Sequence, residues 1–157
     1  MAYDSLKIIS GNGNLPLAES IAQYSGVKLV DRVCDRFPNG EIQIKINECV
    51  RGSDVYLIQS TRPQQIHDDY FEAALLHDTL RRCGAERITL VLPYCGYNRQ
   101  DRTQGREPLS MAFVARMLKK AALVERYVFI DLHNSALEGL FDNATTTMNL
   151  SSKHLFA

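Results

Sequence analysis

The sequence predicts an α/β domain in which a mostly parallel β-sheet is covered by helices. Short apolar runs alternate along the chain with longer segments of helical periodicity, and glycine or proline separates most of them. Strands that alternate with helices of about four turns favour right-handed crossovers and parallel pairing. A chain of 157 residues with 45% hydrophobic and 23% charged residues has the length and composition of a globular domain. We therefore predict a single domain over residues 1–157.

The predicted strand and helix at the start of the chain are joined by a glycine-rich turn. Residues 6–10 (LKIIS) form an apolar run, and residues 15–26 have the pattern of a helix. Pro16 near the start of this helix and Gly26 just after its end match the usual preferences at helix termini. Its predicted apolar face contains Leu17, Ile21 and Tyr24.

Two strands and a long helix are predicted in the middle of the chain. Residues 41–46 (EIQIKI) alternate between polar and apolar, which indicates a strand at a sheet edge or in a hairpin. Residues 54–60 (DVYLIQS) have the composition of a buried strand. Residues 68–83 have helical periodicity, and Gly84 suits the C-terminal cap. The predicted apolar arc of this helix contains Phe71, Leu75, Leu76, Leu80 and Cys83.

The last predicted elements are two strands with a helix between them. Residues 87–93 (RITLVLP) and 127–133 (YVFIDLH) are apolar runs typical of buried strands. Between them, Pro108 opens a helix that continues to Lys120 and carries two lysines in its last turn, where cations favour the helix dipole. Phe113, Met117 and Leu118 are predicted to face inward.

Charge and cysteine content exclude several classes of protein. The 18 basic and 18 acidic residues balance, so no broad attraction to nucleic acid or to an anionic membrane is expected. No segment approaches the roughly 20 apolar residues of a membrane span, and the first ten residues lack a signal-peptide pattern. The four scattered cysteines indicate reduced, mostly buried thiols in a cytoplasmic protein, and the four histidines show no zinc-binding spacing.

Three polar clusters follow predicted strands, and each allows a functional and a structural interpretation. In residues 10–14 (SGNGN), two glycines could hold an anion at a helix start or could serve the turn alone. In residues 94–107, arginines could bind phosphate or could lie in a solvated loop. Asp131 and His133, two apart at a strand end, should point to the same side and could support a metal ion or be structural. Because ligands bind at the carboxyl ends of parallel strands, the three clusters are predicted to lie at one edge of the sheet.

Residues 35–41 (DRFPNGE) predict a hairpin tip that carries an aromatic ring. Phe37, beside a Pro-Asn-Gly turn, either packs into the core or offers a flat surface on which a nucleobase can stack. In the second case, the amide of Asn39 and the carboxylate of Glu41 are available for the polar edge of the base.

Together, these motifs resemble the amino-terminal half of the ribose-phosphate diphosphokinases, also called ribose-phosphate pyrophosphokinases or phosphoribosyl pyrophosphate synthetases. The resemblance covers nearly the whole chain. Its most specific part is Pro-Tyr-x-x-Tyr-x-Arg-Gln-Asp-Arg, followed by Arg-Glu-Pro and Asp-Leu-His. The matching segments are RFPNGE, VRGSDVYLIQST, HDDYFEAALLHDTLRRCGAERITLVLPYCGYNRQDR, REPLSMAFVARML and DLHNSALEGLFD.

The resemblance implies a phosphoribosyltransferase-like domain of a Mg²⁺-dependent, homo-oligomeric enzyme. Members of this family transfer diphosphate from ATP to C1 of ribose 5-phosphate. The resemblance also implies that Phe37 stacks on adenine and that its hairpin reaches the site of a neighbouring subunit. The residues implied to bind ATP are Phe37, Asn39, Glu41, Arg99, Gln100 and Asp101, and the implied Mg²⁺ ligand is His133, with Asp131 nearby.

The resemblance does not extend to a complete active site. The family's ribose 5-phosphate loop, a pair of aspartates followed by Thr-Gly-Gly-Thr, and its mobile catalytic loop do not occur in the sequence. We therefore expect the catalytic residues to lie in a second domain outside this chain, and we expect the chain to bind Mg·ATP without turnover. Two alternatives stay open: a noncatalytic associated subunit that assembles with an active synthetase, and a nucleotide-binding α/β domain of another pathway.

Overall fold

The chain forms a main parallel sheet and a separate two-stranded hairpin in a computed structural model. The structure describes residues 5–103, 105–141 and 143–155. Within them the strands are β1 (Leu6–Ser10), β2 (Arg32–Arg36), β3 (Ile42–Ile46), β4 (Asp54–Ile58), β5 (Arg87–Leu92), β6 (Arg126–Ile130) and β7 (Thr146–Leu150). The α-helices are α1 (Leu15–Tyr24), α2 (Ile66–Arg82) and α3 (Ser110–Ala121), and short 3₁₀ helices span Ser135–Leu140 and Lys153–Leu155.

The main sheet has the strand order β1-β4-β5-β6-β7, and every neighbouring pair in it is parallel. Side chains alternate between its two faces. Ile9 and Leu57 are fully buried in the core that includes α2 and α3, whereas Ile8 and Ile58 belong to the smaller cluster formed with α1. The predicted fold class, a mostly parallel sheet covered by helices, is confirmed.

The buried face of α1 differs from the predicted one. Tyr24 is 94% exposed, and Leu17 and Ile21 are only half-buried. The fully covered residues are instead Ala18 and Ala22. Alanine lets the helix backbone approach the sheet closely, so the contact line runs along the small side chains and the large ones lie at its border.

The apolar arcs of α2 and α3 were predicted correctly only in part. Leu76 and Leu118 are buried as predicted, but Phe71 and Phe113 are 58% and 60% exposed, and Cys83 is also exposed. Periodicity defines an apolar arc without showing which part of the arc meets the sheet. The other buried residues of α2 are Asp69, Tyr70, Glu72, Ala73, His77 and Leu80.

Strands β2 and β3 form the hairpin that the turn sequence predicted. They pair antiparallel, with Arg36 opposite Ile42 next to the tip. At the tip, the amide of Phe37 donates to the carbonyl of Glu41 at 2.8 Å, and Gly40 adopts a φ of 90° that favours glycine. The hairpin is a separate two-stranded sheet.

The four cysteines are free, but only two of them are buried. Burial raises the pKa of the Cys34 thiol to about 12 and that of the Cys95 thiol to about 11, so neither is a reactive thiolate near neutral pH. Cys49 and Cys83 are exposed, so the prediction of mostly buried thiols was wrong for half of them. Among the described residues, no helix has the length and apolar character needed to cross a membrane.

Candidate functional site

The three polar clusters lie at the carboxyl ends of β1, β5 and β6, as the sequence predicted. Because these strands are parallel members of one sheet, their carboxyl ends share one edge. A direct contact joins two of the clusters: the side-chain amide of Asn134, after β6, donates to Asp101, after β5, at 3.5 Å.

The loop after β1 packs closely against the end of β4. The amide of Gly11 donates to the carbonyl of Ile58 at 3.0 Å. A Cβ at Gly11 would lie 1.5 Å from Oε1 of Gln59, and a Cβ at Gly13 would lie 1.9 Å from the carbonyl oxygen of Ser60. Both glycines are therefore required by packing, which supports the structural interpretation of this turn.

The loop after β5 holds Gln100 firmly and exposes Arg99. The amide of Gln100 donates to the carbonyl of Tyr97 at 2.8 Å, and the hydroxyl of Ser110 donates to Oε1 of Gln100 at 2.5 Å. Tyr97 has a φ of 64°, an unusual value for a tyrosine, and its hydroxyl lies 2.5 Å from Nε2 of His67. Arg99 is exposed, and no described residue pairs with its guanidinium.

The loop after β6 places Asp131 and His133 differently from the prediction. Asp131 has a φ of 49°, which interrupts the extended backbone on which same-side geometry depends. Its carboxylate accepts hydrogen bonds from the amide of Ser152, at 3.0 Å, and from the Ser152 hydroxyl, and these bonds lower its pKa. Asp131 is thus committed to the segment after β7, whereas the imidazole of His133 is exposed and has no partner among the described residues.

The hairpin tip presents its aromatic ring to solvent. Phe37 is 44% exposed, so the interpretation that it packs into the core is wrong. The side chain of Asn39 accepts a hydrogen bond from the amide of Glu41 at 3.2 Å and shapes the turn. Glu41 lines a cleft of about 570 Å³ between the hairpin, α2 and α3. Of the six residues implied to bind ATP, all of them described, Glu41 is the only one that lines this cleft.

The predicted site residues therefore fall into two groups. The loops after β5 and β6 bring Arg99, Gln100, Asp101 and the segment of His133 to one edge of the sheet, and the hairpin carries Phe37, Asn39 and Glu41 separately. Sequence reasoning did not single out Asn134 or Ser110, which connect and hold these loops. The sequence indicated these two residues only by their position, at the end of the segment after β5 and next to His133.

The described residues offer few ligands for a metal ion, so a metal bound here would need water and phosphate for most of its coordination. Within the described parts of the chain, no group of three or more His, Cys, Asp or Glu side chains could hold a metal ion. Mg²⁺ usually keeps several waters and binds through one or two carboxylates together with substrate phosphates. Asp101 offers such a carboxylate, and the loop that Asn134 joins to it carries the exposed imidazole of His133.

Comparison with known proteins identifies the family. Residues 6–122 match the family model described as the N-terminal domain of ribose phosphate pyrophosphokinase. The chain is 42% identical over 140 residues to the ribose-phosphate pyrophosphokinase of Thermotoga maritima, a match that covers 88% of this chain and 44% of that protein. It is 41% identical over 157 residues to putative ribose-phosphate pyrophosphokinase 2 of Lactiplantibacillus plantarum, covering 99% of this chain and 46% of that protein. The chain belongs to the ribose-phosphate pyrophosphokinase family.

A solved structure agrees with this assignment. The crystal structure of phosphoribosylpyrophosphate synthetase from Mycobacterium smegmatis superposes with a TM-score of 0.91 at 34% sequence identity. The match covers 98% of this chain and 50% of that one. The chain thus spans about half the length of the relatives it matches.

Proposed function

We propose that this chain is the ATP-binding half of a ribose-phosphate diphosphokinase. The complete enzyme transfers diphosphate from ATP to C1 of ribose 5-phosphate and makes phosphoribosyl pyrophosphate for nucleotide biosynthesis. One observation carries the proposal: Arg99 and His133 are exposed and without partners among the described residues, on two loops that Asp101 and Asn134 join. Side chains left unpaired at the ligand-binding edge of a parallel sheet are available for a ligand.

The chemistry of diphosphoryl transfer suits these residues. The reaction needs positioning and charge neutralisation more than it needs a protein nucleophile. The planar guanidinium of Arg99 pairs with two phosphate oxygens, while Gln100 is held in place by Ser110. His133 would be the protein ligand of the Mg²⁺ ion that accompanies ATP, and that ion would neutralise phosphate charge, with phosphate oxygens and water as its other ligands.

The hairpin completes the nucleotide site from a neighbouring subunit of a homo-oligomer. Its exposed Phe37 ring has no aromatic partner among the described residues, so its face is available to adenine. Asn39 and Glu41 lie on the same turn, and we assign them to the polar edge of the base. We assign the site for ribose 5-phosphate to the half of the relatives' length that this chain does not span.

Isothermal titration calorimetry with Mg·ATP and a nonhydrolysable analogue tests the proposal directly. Arg99→Ala should weaken binding by about 1.5–3 kcal/mol, the cost of a lost hydrogen bond to a charged group. Arg116→Ala is the matched control, because Arg116 is also an exposed arginine but lies on α3 outside the two loops. His133→Ala should reduce the gain in affinity that Mg²⁺ gives, with little effect on metal-free nucleotide. Equal affinities for wild type and Arg99→Ala would remove Arg99 from the site.

An activity assay separates the proposal from its alternative. The isolated chain should bind Mg·ATP and form no phosphoribosyl pyrophosphate from ribose 5-phosphate. A folded chain that binds no nucleotide but co-purifies with a full-length synthetase would instead indicate a noncatalytic associated subunit.

A further inference from the structure

We propose that Glu72 is a positioning residue that, through Asn12 and Arg32, fixes the β2–β3 hairpin relative to the main sheet and so sets where Phe37 meets a nucleotide. The role of Phe37 rests on the function proposed above. The fixing of the hairpin stands on the hydrogen bonds alone.

Glu72 is a buried carboxylate, and both of its oxygens accept hydrogen bonds from Asn12, while the Cys34 thiol also forms a hydrogen bond with it. Glu72 lies on α2 and is only 6% exposed. Its Oε1 accepts from the backbone amide of Asn12 at 2.6 Å, and its Oε2 accepts from the Asn12 side-chain amide at 3.0 Å. Loss of these donors would lower the stability of the fold, because the buried charge of the carboxylate would then be uncompensated.

Asn12 transmits this contact to the hairpin. Its side-chain amide also donates to the carbonyl of Cys34 in β2 at 2.9 Å, and its Oδ1 accepts from Nη2 of Arg32 at 3.1 Å. Arg32, at the start of β2, donates further to the carbonyls of Ser10 at 2.7 Å and Gly11 at 3.2 Å. The helix, the loop after β1 and the base of the hairpin are thereby joined in one network.

The network matters because β2 and β3 are not part of the main sheet. A backbone bridge between Leu29 and Ile8 of β1, with the amide of Val30 donating to the Ile8 carbonyl at 2.8 Å, attaches the chain just before β2, but no ladder joins β2 or β3 themselves to that sheet. The side chains of Ile44 and Ile46 pack against the core, but apolar contact is not directional. The hydrogen bonds of Asn12 and Arg32 do have direction, so together with the Val30–Ile8 bond they define the orientation.

A second attachment near the tip is weaker. Arg36 donates to Asp68 of α2 at 2.7 Å, and both side chains are about half exposed. Exposed ion pairs contribute little to stability. We therefore expect the buried network to determine the position of the tip, and we expect the ion pair of Arg36 to follow it.

The test compares two buried carboxylates by amide hydrogen exchange. Glu72→Gln keeps the shape of the side chain but turns an acceptor into a donor that faces Asn12. Asp54→Asn is the matched control, because Asp54 is 7% exposed and pairs with Arg87 at the amino ends of β4 and β5. Glu72→Gln should speed exchange in residues 33–46 about 10-fold or more, the effect of losing a charge-assisted bond, while β4 and β5 keep wild-type rates. Asp54→Asn should not affect the hairpin selectively.

A second readout connects the hairpin to the nucleotide. Glu72→Gln should weaken Mg·ATP binding about 10-fold while the circular dichroism spectrum stays native. Arg32→Lys is a milder change at the edge of the network and provides the test if the Glu72 variant fails to fold. It should also speed exchange selectively in the hairpin, by a smaller factor. Unchanged exchange in the hairpin, or an equal increase in Asp54→Asn, overturns the proposal. A looser hairpin with wild-type affinity overturns the link to the nucleotide. If the wild type binds no ATP, the proposed function fails, and the exchange data still decide whether Glu72 fixes the hairpin.

Discussion

Lowering the pH should destabilise this domain through His77, a histidine inside the core. His77 lies on α2 and is 3% exposed, and its Nδ1 has no hydrogen-bond partner among the described residues. Burial lowers the pKa of His77 from 6.5 to about 4; a hydrogen bond with the backbone of Ala122 opposes this shift, and the charge of Arg81 adds to it. The folded domain therefore keeps this imidazole neutral.

The sign and the magnitude follow from proton linkage. An unfolded chain takes up a proton on His77 near pH 6.5, whereas the folded chain does so only near pH 4. Between these values the unfolded state binds more protons, so the free energy of unfolding falls as the pH decreases. Each pKa unit is worth about 1.4 kcal/mol, so His77 should account for a loss of about 3 kcal/mol. That is a large fraction of the roughly 5–15 kcal/mol that stabilises a typical domain.

Urea unfolding followed by circular dichroism at several pH values between 7 and 4 measures this effect. The comparison is between the wild type and His77→Met, which has a similar volume and cannot be protonated. The carboxylates titrate in both proteins, so their contribution cancels in the difference between the two curves. His154→Gln, at an exposed histidine, is the control and should follow the wild type.

The expected result is that His77→Met loses about 3 kcal/mol less than the wild type over this range. At pH 7 the variant removes a buried nitrogen without a partner but also loses the hydrogen bond with the backbone of Ala122, so the test rests on how the free energy of unfolding changes with pH and not on the difference at pH 7. Parallel curves for the two proteins would refute the reasoning, since they would show that His77 is protonated equally in the folded and unfolded states.

Two further changes test the packing. Gly13→Ala should lower the free energy of unfolding by about 3 kcal/mol or more, because the new Cβ would lie 1.9 Å from the Ser60 carbonyl oxygen. In the control, Gly139→Ala, the new Cβ meets nothing within 4 Å, so the same urea titration should show a change of less than about 0.5 kcal/mol. Leu118→Ala should lower the free energy of unfolding by about 2–5 kcal/mol, since Leu118 is 1% exposed. Phe113→Ala, at a side chain that is 60% exposed, should lower it by less than about 1 kcal/mol in the same titration. Equal losses would contradict the burial described for α3.

The elements that the sequence predicted are those with strong apolar patterns. Strands β1, β4, β5 and β6 are apolar runs, and each lies within or beside its predicted range. A hairpin tip was predicted at residues 35–41, but no strand range was predicted for β2 or β7, because RVCDR and TTMNL carry polar residues. β2 pairs only with β3, and β7 lies at a sheet edge, so neither needs two apolar faces. Their formation depends on pairing partners that are distant in sequence.

The candidate site was predictable to the level of the sheet edge and not to the level of individual contacts. Parallel topology alone places the loops of Arg99 and His133 at one edge. The φ of 49° at Asp131 and its bonds to Ser152 depend on a segment after β7 that gave no signal beforehand. The position of the Phe37 hairpin likewise depends on Asn12 and Glu72, which are 60 residues apart in the chain. Tertiary contacts of this kind leave no local pattern in a single sequence.

The strand order has a consequence for how the domain is made on the ribosome. After β1, each strand of the main sheet docks beside the strand that precedes it in the sheet order, and that strand has already left the ribosome. No strand has to insert between two that are already paired. The sheet can therefore grow outward in one direction during synthesis, which matches the amino-terminal-first order in which nascent chains fold. Each apolar sheet edge is exposed only until the next strand and its helix emerge.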